Sequence, residues 1–382
     1  MKKLLILAVI AALSISSVAH AELELSGNVT TGAAYQWDST NAGNTQSIGN
    51  TGVANGGAGG ITQGDMRFAP TADSMHFGFY VDQAEIDVDS EFGENIRARI
   101  DLDFIDLGSP SFSAFLLEQA YVTINMPAGN GMEFLIGKFN APMGLESVDR
   151  HENIFPTYTP GFVFLVPTQV MGTKLYYDFD DNWNFDFAVV DSMNSRLIGN
   201  SPYPSGIMRV GAVWGDEGRE SYMHIAGGFG PELNAAVNGS SEDKHLDMLG
   251  MLWGNFAFGD YWDLGYEGIY RSTNTLAGAT NMRAVAGQMY TKYQASDVWS
   301  VQVRGAAFWE MSSFVAGTSG ASTTGGTFGG FKGMTYSGSL ATTYQITDGA
   351  EMTLEYRFDF ASVSGLANAN FHTGVAEFAY SF

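Results

Sequence analysis

The sequence predicts a single transmembrane antiparallel β-barrel of about 16 strands, all-β in class, with short periplasmic turns and long extracellular loops. Three observations support this fold class. The chain opens with an export leader, its C-terminal strands alternate apolar and polar residues, and its short and long connections alternate along the whole length. These observations concern the compartment, the two faces of the sheet and the connectivity, respectively.

The first 21 residues have the organisation of a secretory signal peptide. Two lysines start the segment, an apolar run covers 4–13, and Ala19-His20-Ala21 offers the small residues that a signal peptidase requires. The apolar run is far shorter than the roughly 20 residues of a membrane-spanning helix. We therefore expect cleavage after Ala21, with 22–382 exported as one barrel domain.

Composition excludes several functional classes. Lys+Arg number 18 against 41 Asp+Glu, and the resulting net charge of −23 is unsuited to holding the phosphates of a nucleic acid. Cysteine is absent, so neither disulfides nor thiolate metal sites can form. The six histidines are scattered, and no glycine-rich phosphate-binding loop follows a strand. We predict no catalytic residue, no metal, no cofactor and no nucleic-acid partner.

The last strands indicate the two faces of the sheet. From Met352 to Phe360, every even residue is apolar and every odd residue is polar. This alternation is expected where one face meets lipid and the other lines the lumen. The chain then ends on an aromatic strand in which Phe378, Tyr380 and Phe382 alternate up to the terminal carboxylate. We interpret these three side chains as a C-terminal assembly signal of an outer-membrane barrel.

The connections give the strand count. Eight long loops and seven short turns separate about 16 strands, an even number that leaves both termini in the periplasm. The stretches 43–64 and 140–169 could each hide a strand, so 14 and 18 strands stay open. All ten prolines fall in predicted loops or turns, as expected of a residue that cannot donate to a strand ladder. The short turns lie near 92–95, 127–131, 180–182, 216–220, 259–261, 295–297 and 347–349.

Charged residues occupy the inward face of the second and third predicted strands. Residues paired across a hairpin share a face, so arginines on one strand must lie beside carboxylates on the other. Two interpretations stay open: a charged path across a pore, and a salt-bridged wall that fixes the register. The same alternation also places the charged residue Glu118 on the face assigned to lipid, and the pattern gives no reason for a charge there. The predicted charge ladder consists of Glu85, Asp87, Asp89, Arg97, Arg99, Asp101 and Asp103.

The connection 140–169 is the candidate for a pore constriction. It contains four of the ten prolines, which stiffen it, together with Glu146, Asp149, Arg150 and Glu152. Long ordered loops in compact proteins are usually functional, and a barrel of about 16 strands encloses an aqueous channel. We expect this loop to fold inward, where its carboxylates outnumber Arg150 and favour cations. An external lid and a contact between protomers are the alternatives.

Two sequence segments resemble a porin signature. They are LEQAYV at 117–122 and LIGKFNAPMGLE at 135–146. The pattern is similar to the second, channel-forming family of Gram-negative outer-membrane β-barrel porins, and more distantly to the phosphate-selective porins O and P. The resemblance implies passive diffusion of small solutes across the outer membrane. The phosphate-selective porins resemble a lysine-rich funnel for anions. This chain has few lysines, so the resemblance does not imply phosphate selectivity here.

The expected function is a water-filled channel for small hydrophilic solutes or ions, with a weak preference for cations. Expected partners are outer-membrane lipid and lipopolysaccharide, the barrel assembly machinery, small solutes and further copies of the chain in a homo-trimer. The alternative is a plugged or ligand-specific barrel that acts in binding or adhesion through its extracellular loops. A closed pore in conductance records would favour that alternative.

Overall fold

Sixteen strands, β1 to β16, form one closed sheet in the computed structural model. The structure describes residues 21–38, 76–106, 113–193, 203–216, 218–233, 244–275, 282–311, 333–363 and 368–382. Residues 1–20 of the predicted leader and the stretch 43–64 lie outside the described residues. The strands are β1 Ala21–Asp38, β2 His76–Phe92, β3 Ile96–Asp106, β4 Ser113–Met126, β5 Met132–Asn140, β6 Gln169–Asp178, β7 Trp183–Val190, β8 Ser205–Asp216, β9 Arg219–Leu233, β10 Lys244–Phe258, β11 Trp262–Thr275, β12 Met282–Ser296, β13 Trp299–Glu310, β14 Gly333–Thr347, β15 Ala350–Val363 and β16 Ala369–Ser381.

The sheet closes because its first and last strands pair with each other. Every strand is antiparallel to its neighbours in the chain, and β1 pairs with β16 from Asn28 opposite Ser381 to Asp38 opposite Phe371. At the end of this seam, the Phe382 N–H donates to the Gly27 carbonyl at 3.0 Å. Closure leaves no free edge. The predicted fold class and the count of 16 strands are confirmed.

The short turns lie where the sequence predicts them. At the β14–β15 turn, Gly349 has a φ of 82°, a conformation that glycine adopts without strain. One proline prediction is wrong, because Pro231 lies within β9, opposite Leu246 of β10. Pro231 is close to the end of its strand, where a missing N–H interrupts little of the ladder.

Outward and inward residues alternate along the wall. On β15, Leu354 and Tyr356 are exposed on the outside, whereas Thr353 and Glu355 are buried. This is the pattern of a barrel whose apolar face meets lipid. Buried charges on the inner side therefore need partners inside the barrel.

Two of the β-bulges in the described sheet lie away from the short turns and change the parity of the wall. Gln119 lies opposite Asp101 and Leu117 lies opposite Leu102, so Glu118 is the extra residue on β4. A bulge reorients its strand locally, and Glu118 is consequently buried, at 3% exposure, instead of meeting lipid. A second bulge, in the β1–β2 pairing, makes Asp82 the extra residue and buries it as well.

The connection between β5 and β6 contains two short helical pieces. A 3-10 turn covers Arg150–Glu152, and the helix α1 covers Pro160–Leu165. Thr159 caps α1 by accepting a hydrogen bond from the Phe162 N–H, and Pro160 occupies the first turn, where its missing N–H costs nothing. In the described part of the chain, no helix is long and apolar enough to span a membrane.

An apolar cluster joins this connection to the inner wall. From the connection, Phe162 and Leu165 of α1 are almost fully buried. They pack with inward-facing side chains of several strands, including Ile269 and Phe308. A wall that faced only water would gain nothing from these apolar residues, so their burial stabilises the docked connection.

The face assignment gives a testable prediction. Leu340, in the middle of β14, is exposed on the outside, whereas Ser337 on the same strand faces inward opposite Asp359. We expect Leu340→Arg to cost about 2–4 kcal/mol of folding free energy, because it places a charge in the hydrocarbon region. Ser337→Arg should be mild, since it meets water and a carboxylate. Urea unfolding of protein folded into lipid vesicles measures both, and equal losses would contradict the assignment.

Candidate channel constriction

Segment 141–168, which connects β5 to β6, is held by a network of hydrogen bonds. Within it, the Asn153 side chain fixes the turn before the 3-10 piece. Its Nδ2 donates to the Ser147 carbonyl at 2.8 Å, and its Oδ1 accepts from the Ser147 N–H at 2.9 Å. These bonds satisfy backbone groups that have no strand partner. The segment therefore has a defined conformation of its own.

Glu146 binds the wall on the far side of the barrel. Its Oε1 accepts from Arg304 Nη1 of β13 at 2.9 Å, and both side chains are at least 92% buried. In the ring of sixteen strands, β13 is diametrically opposite β5, from which the segment departs. Glu146 also accepts from the N–H of Thr159 at 3.0 Å and from its hydroxyl. The carboxylate thus ties both halves of the segment to one wall arginine.

Three inward arginines repeat the same arrangement on β11, β13 and β15. Each binds a wall carboxylate and also a group of the segment. Arg271 Nη1 donates to the Leu165 carbonyl at 2.7 Å, and Arg357 Nη1 donates to the Tyr158 carbonyl at 2.6 Å. The guanidinium carries five donors in a planar fork, which allows one side chain to serve both partners. The wall carboxylates are Asp247 for Arg271, Glu355 for Arg304 and Asp359 for Arg357.

Arg150 holds the segment to β2. Its guanidinium forms a salt bridge with Asp82, and both side chains are almost fully buried. Its backbone N–H donates to Gln83 Oε1 at 2.9 Å, and its guanidinium lies 3.9 Å from the centre of the Tyr158 ring. The bulge makes this contact possible, because it turns Asp82 and Gln83 to the same side.

The four predicted constriction residues occupy different environments. Glu146 and Arg150 are buried in ion pairs with the wall. Asp149 is half-buried, and Glu152 is exposed and borders a cavity of about 340 Å³. Glu146 lines the same cavity, but its carboxylate is held in the ion pair with Arg304, so Glu152 is the exposed carboxylate at the cavity.

The wall side of this cavity is aromatic and basic. The strand residues Arg209, Tyr222, His224 and Trp253 are part of its lining. The rings form a row, with centroids 5.2 Å apart for Tyr222 and His224 and 5.1 Å apart for His224 and Trp253. The Arg209 guanidinium is paired with Asp186, so part of its charge is compensated. Sequence patterns did not assign Tyr222 or Trp253 to a cavity, because alternating aromatic residues are also typical of a lipid face.

The charge ladder on β2 and β3 has a defined register. Glu85 lies opposite Asp103, Asp87 opposite Asp101, and Asp89 opposite Arg99. Arg99 lies 2.7 Å from Asp101, 3.3 Å from Asp89 and 3.4 Å from Asp87. Arg97 pairs with Glu133 of β5 at 2.8 Å, where both side chains are largely exposed. Carboxylates outnumber arginines along this wall, and Glu118 and Asp82 add two more.

Asp149 lies against this acidic wall. Burial raises the pKa of its carboxyl above the usual range, and the neighbouring charge of Glu152 raises it further. His151 and a hydrogen bond with Glu85 act in the opposite direction. The Asp149 carboxylate therefore lies close enough to the wall carboxylates to be repelled by their charge.

The closed wall, its alternating faces and a segment docked on inward side chains define a porin-like channel of the Gram-negative outer membrane. The chain belongs to the family described as "Putative beta-barrel porin-2, OmpL-like", whose model matches residues 22–382. The family expected from the porin signature is confirmed. None of the curated protein sequences matches the chain.

Solved outer-membrane barrels have the same fold. The channel DcaP of Acinetobacter baumannii has a TM-score of 0.63 at 13% identity, covering 95% of this chain and 97% of its own. The anion-selective porin of Comamonas acidovorans has a TM-score of 0.63 at 12% identity, covering 95% and 100%. OmpT of Vibrio cholerae in its trimer form has a TM-score of 0.59 at 12% identity, covering 95% and 99%. The likeness extends to the fold alone.

The buried pair at the far wall gives a testable prediction. Glu146→Ala leaves Arg304 buried with one fewer carboxylate, and we expect a loss of about 3–5 kcal/mol in unfolding free energy. Glu133→Ala is the matched control, since its pair with Arg97 is exposed and should contribute about 0–1 kcal/mol. Urea unfolding followed by tryptophan fluorescence compares the two. Equal losses would show that Glu146 is not an anchor.

Proposed function

We propose that the protein forms a water-filled channel for passive diffusion of small hydrophilic solutes or ions, narrowed by segment 141–168. The observation that carries the proposal is the set of bonds from this segment to β2, β11, β13 and β15. A segment bound to strands on opposite sides of a ring lies between them. The free space beside it is the cavity bordered by Glu152 and Arg209.

We propose a weak preference for cations. The acidic wall of β2 to β4 has more carboxylates than arginines, and Glu152 adds a carboxylate at the cavity. Rings of acidic side chains favour cations in channels. Arg209 and Lys174 oppose this preference at the other wall, although both lie near Asp186. Because Arg209 and Lys174 offset part of the negative charge of the acidic wall, we expect a weak preference for cations and not a strong one.

Conductance of the purified barrel in a planar bilayer tests both proposals. We expect open, ohmic steps and a reversal potential shifted toward the cation equilibrium potential under a salt gradient. An anion-shifted reversal potential would overturn the ion preference. A silent bilayer with folded protein would instead support the alternative, a plugged barrel that acts through its extracellular loops.

The Glu152→Gln variant tests whether this carboxylate lies on the ion path. A unit charge about 4 Å from a passing ion is worth about 1 kcal/mol in water, so we expect relative cation permeability to fall by up to about fivefold. Asp348→Asn is the matched control, because Asp348 is exposed on the β14–β15 turn outside the barrel wall. Identical reversal potentials for the wild type and Glu152→Gln would exclude Glu152 from the path.

We also propose a homo-trimer embedded in outer-membrane lipid and lipopolysaccharide. The trimer form of OmpT supports this assembly by analogy of fold. Separately, we propose that Phe378, Tyr380 and Phe382 form the C-terminal signal by which the barrel assembly machinery recognises each chain. Phe378 and Phe382 are exposed beside the β1–β16 seam, where an assembly factor can reach them. Native mass spectrometry from detergent should give three times the mass of the mature chain. A single-chain mass would contradict the trimer.

A further inference from the structure

Three carboxylates meet where segment 141–168 approaches β2 and β4. One oxygen from each of Glu85, Glu118 and Asp149 lies within 4.8 Å of the other two. Glu85 and Glu118 are buried on the wall, at 3% exposure each, and Asp149 comes from the segment. Like charges at such distances repel strongly in a poorly hydrated site, so the cluster requires compensation.

The nearby arginines are directed to other carboxylates. Arg99 binds Asp101, Asp89 and Asp87, and Arg150 binds Asp82. The contacts that Glu85 makes with Asn28 and Gln83 come from neutral amides, at 2.7 and 3.2 Å. These amides solvate the Glu85 carboxylate without adding positive charge.

Two buried oxygens at this point accept no hydrogen bond. Glu118 Oε1 has no partner, and its side chain reaches into the cluster. Asn28 is fully buried, its amide nitrogen is bonded to Glu85, and its Oδ1 also has no partner. A buried acceptor without a donor costs free energy. Oxygen acceptors lacking donors around three carboxylates are the ligands that a hard cation requires.

We propose that Glu85, Glu118 and Asp149 bind a Ca²⁺ ion that ties segment 141–168 to the barrel wall. Ca²⁺ takes carboxylate and amide oxygens at about 2.3–2.6 Å, so its ligands lie up to about 5 Å apart, which matches the cluster. Mg²⁺ demands about 2.0–2.1 Å and a tighter octahedron.

A second acidic group nearby is a weaker candidate. Glu85 also lies within the same distance of Asp87 and Asp101. Those two carboxylates already contact Arg99, and Asp101 accepts from Gln119. A cation there would have to compete with a guanidinium. The site that includes Asp149 lacks this competitor and joins the wall to the segment.

Calcium titration of the full mature barrel, folded in detergent and stripped with a chelator, tests the proposal. By calorimetry we expect one saturable Ca²⁺ site per chain, with a dissociation constant on the order of 10⁻⁴ M. Glu118→Gln and Asp149→Asn should each weaken binding at least tenfold. Glu133→Gln is the matched control, because it removes an inward carboxylate that pairs with Arg97 instead.

A structural readout separates binding at this site from binding elsewhere. Ca²⁺ should protect segment 141–168 from proteolysis in the wild type and in Glu133→Gln but not in Asp149→Asn, whose change is on the segment and not on the wall. No saturable Ca²⁺ binding, or equal binding in Asp149→Asn and Glu133→Gln, would overturn the proposal. Tighter binding of Mg²⁺ than of Ca²⁺ would overturn the assignment of the ion. Neither result depends on whether the barrel conducts.

Discussion

The closure of the sheet between β1 and β16 is the constraint on which the rest of the structure depends. Hydrocarbon offers no partner to a backbone N–H or C=O, so each must be paired within the wall. Once the ring is closed, side chains can point only outward to lipid or inward to the lumen. The side chains that can contact a solute in the lumen are therefore the inward residues of the strands and those of the segments that contact them.

Apolar contacts and buried ion pairs act together where segment 141–168 meets the inward side chains of the wall. The cluster around α1 removes apolar surface from water, and this stabilises the contact between the segment and the wall. The hydrophobic effect has no directional preference, so it does not fix the orientation of the segment. The arginines of β11, β13 and β15 supply the direction, because each guanidinium must satisfy a wall carboxylate and a segment group at once. Lysine could not replace them, since its ammonium lacks the planar fork.

Much of the fold follows from the sequence, because it depends on a period of two and on connection lengths. Both are visible without a structure, and strand number, turn positions and the outward face of β15 were predicted from them. The interior was less accessible. The inward position of Glu118 and the presence of Asp82 at the contact with Arg150 depend on bulges, which shift parity by one residue without a clear sequence signal. Pro231 was misplaced for a different reason, because the end of β9 is set by its pairing with β10 and not by a local sequence signal.

The candidate site was predicted as a region and not as an arrangement. Proline content and charge indicated the connection 140–169. They could not distinguish Glu146 and Arg150, which form ion pairs with the wall, from the exposed Glu152. Glu146 and Glu152 have the same chemistry, six residues apart, and differ only in whether a wall arginine meets them. Such a difference comes from contacts between distant parts of the chain. The partner of Glu146 is 158 residues away.

These long separations impose an order of events during folding. The wall partners of Leu165, Glu146 and Tyr158 follow them in the chain by 106, 158 and 199 residues. Contacts of high sequence separation form late, because the intervening chain must first be ordered. An incomplete barrel that ends before β11 thus has segment 141–168 but lacks Ile269 and Phe308, which belong to the apolar cluster around α1. Until β11 to β13 are in place, part of the apolar surface of α1 stays uncovered, and transiently exposed apolar surface favours aggregation.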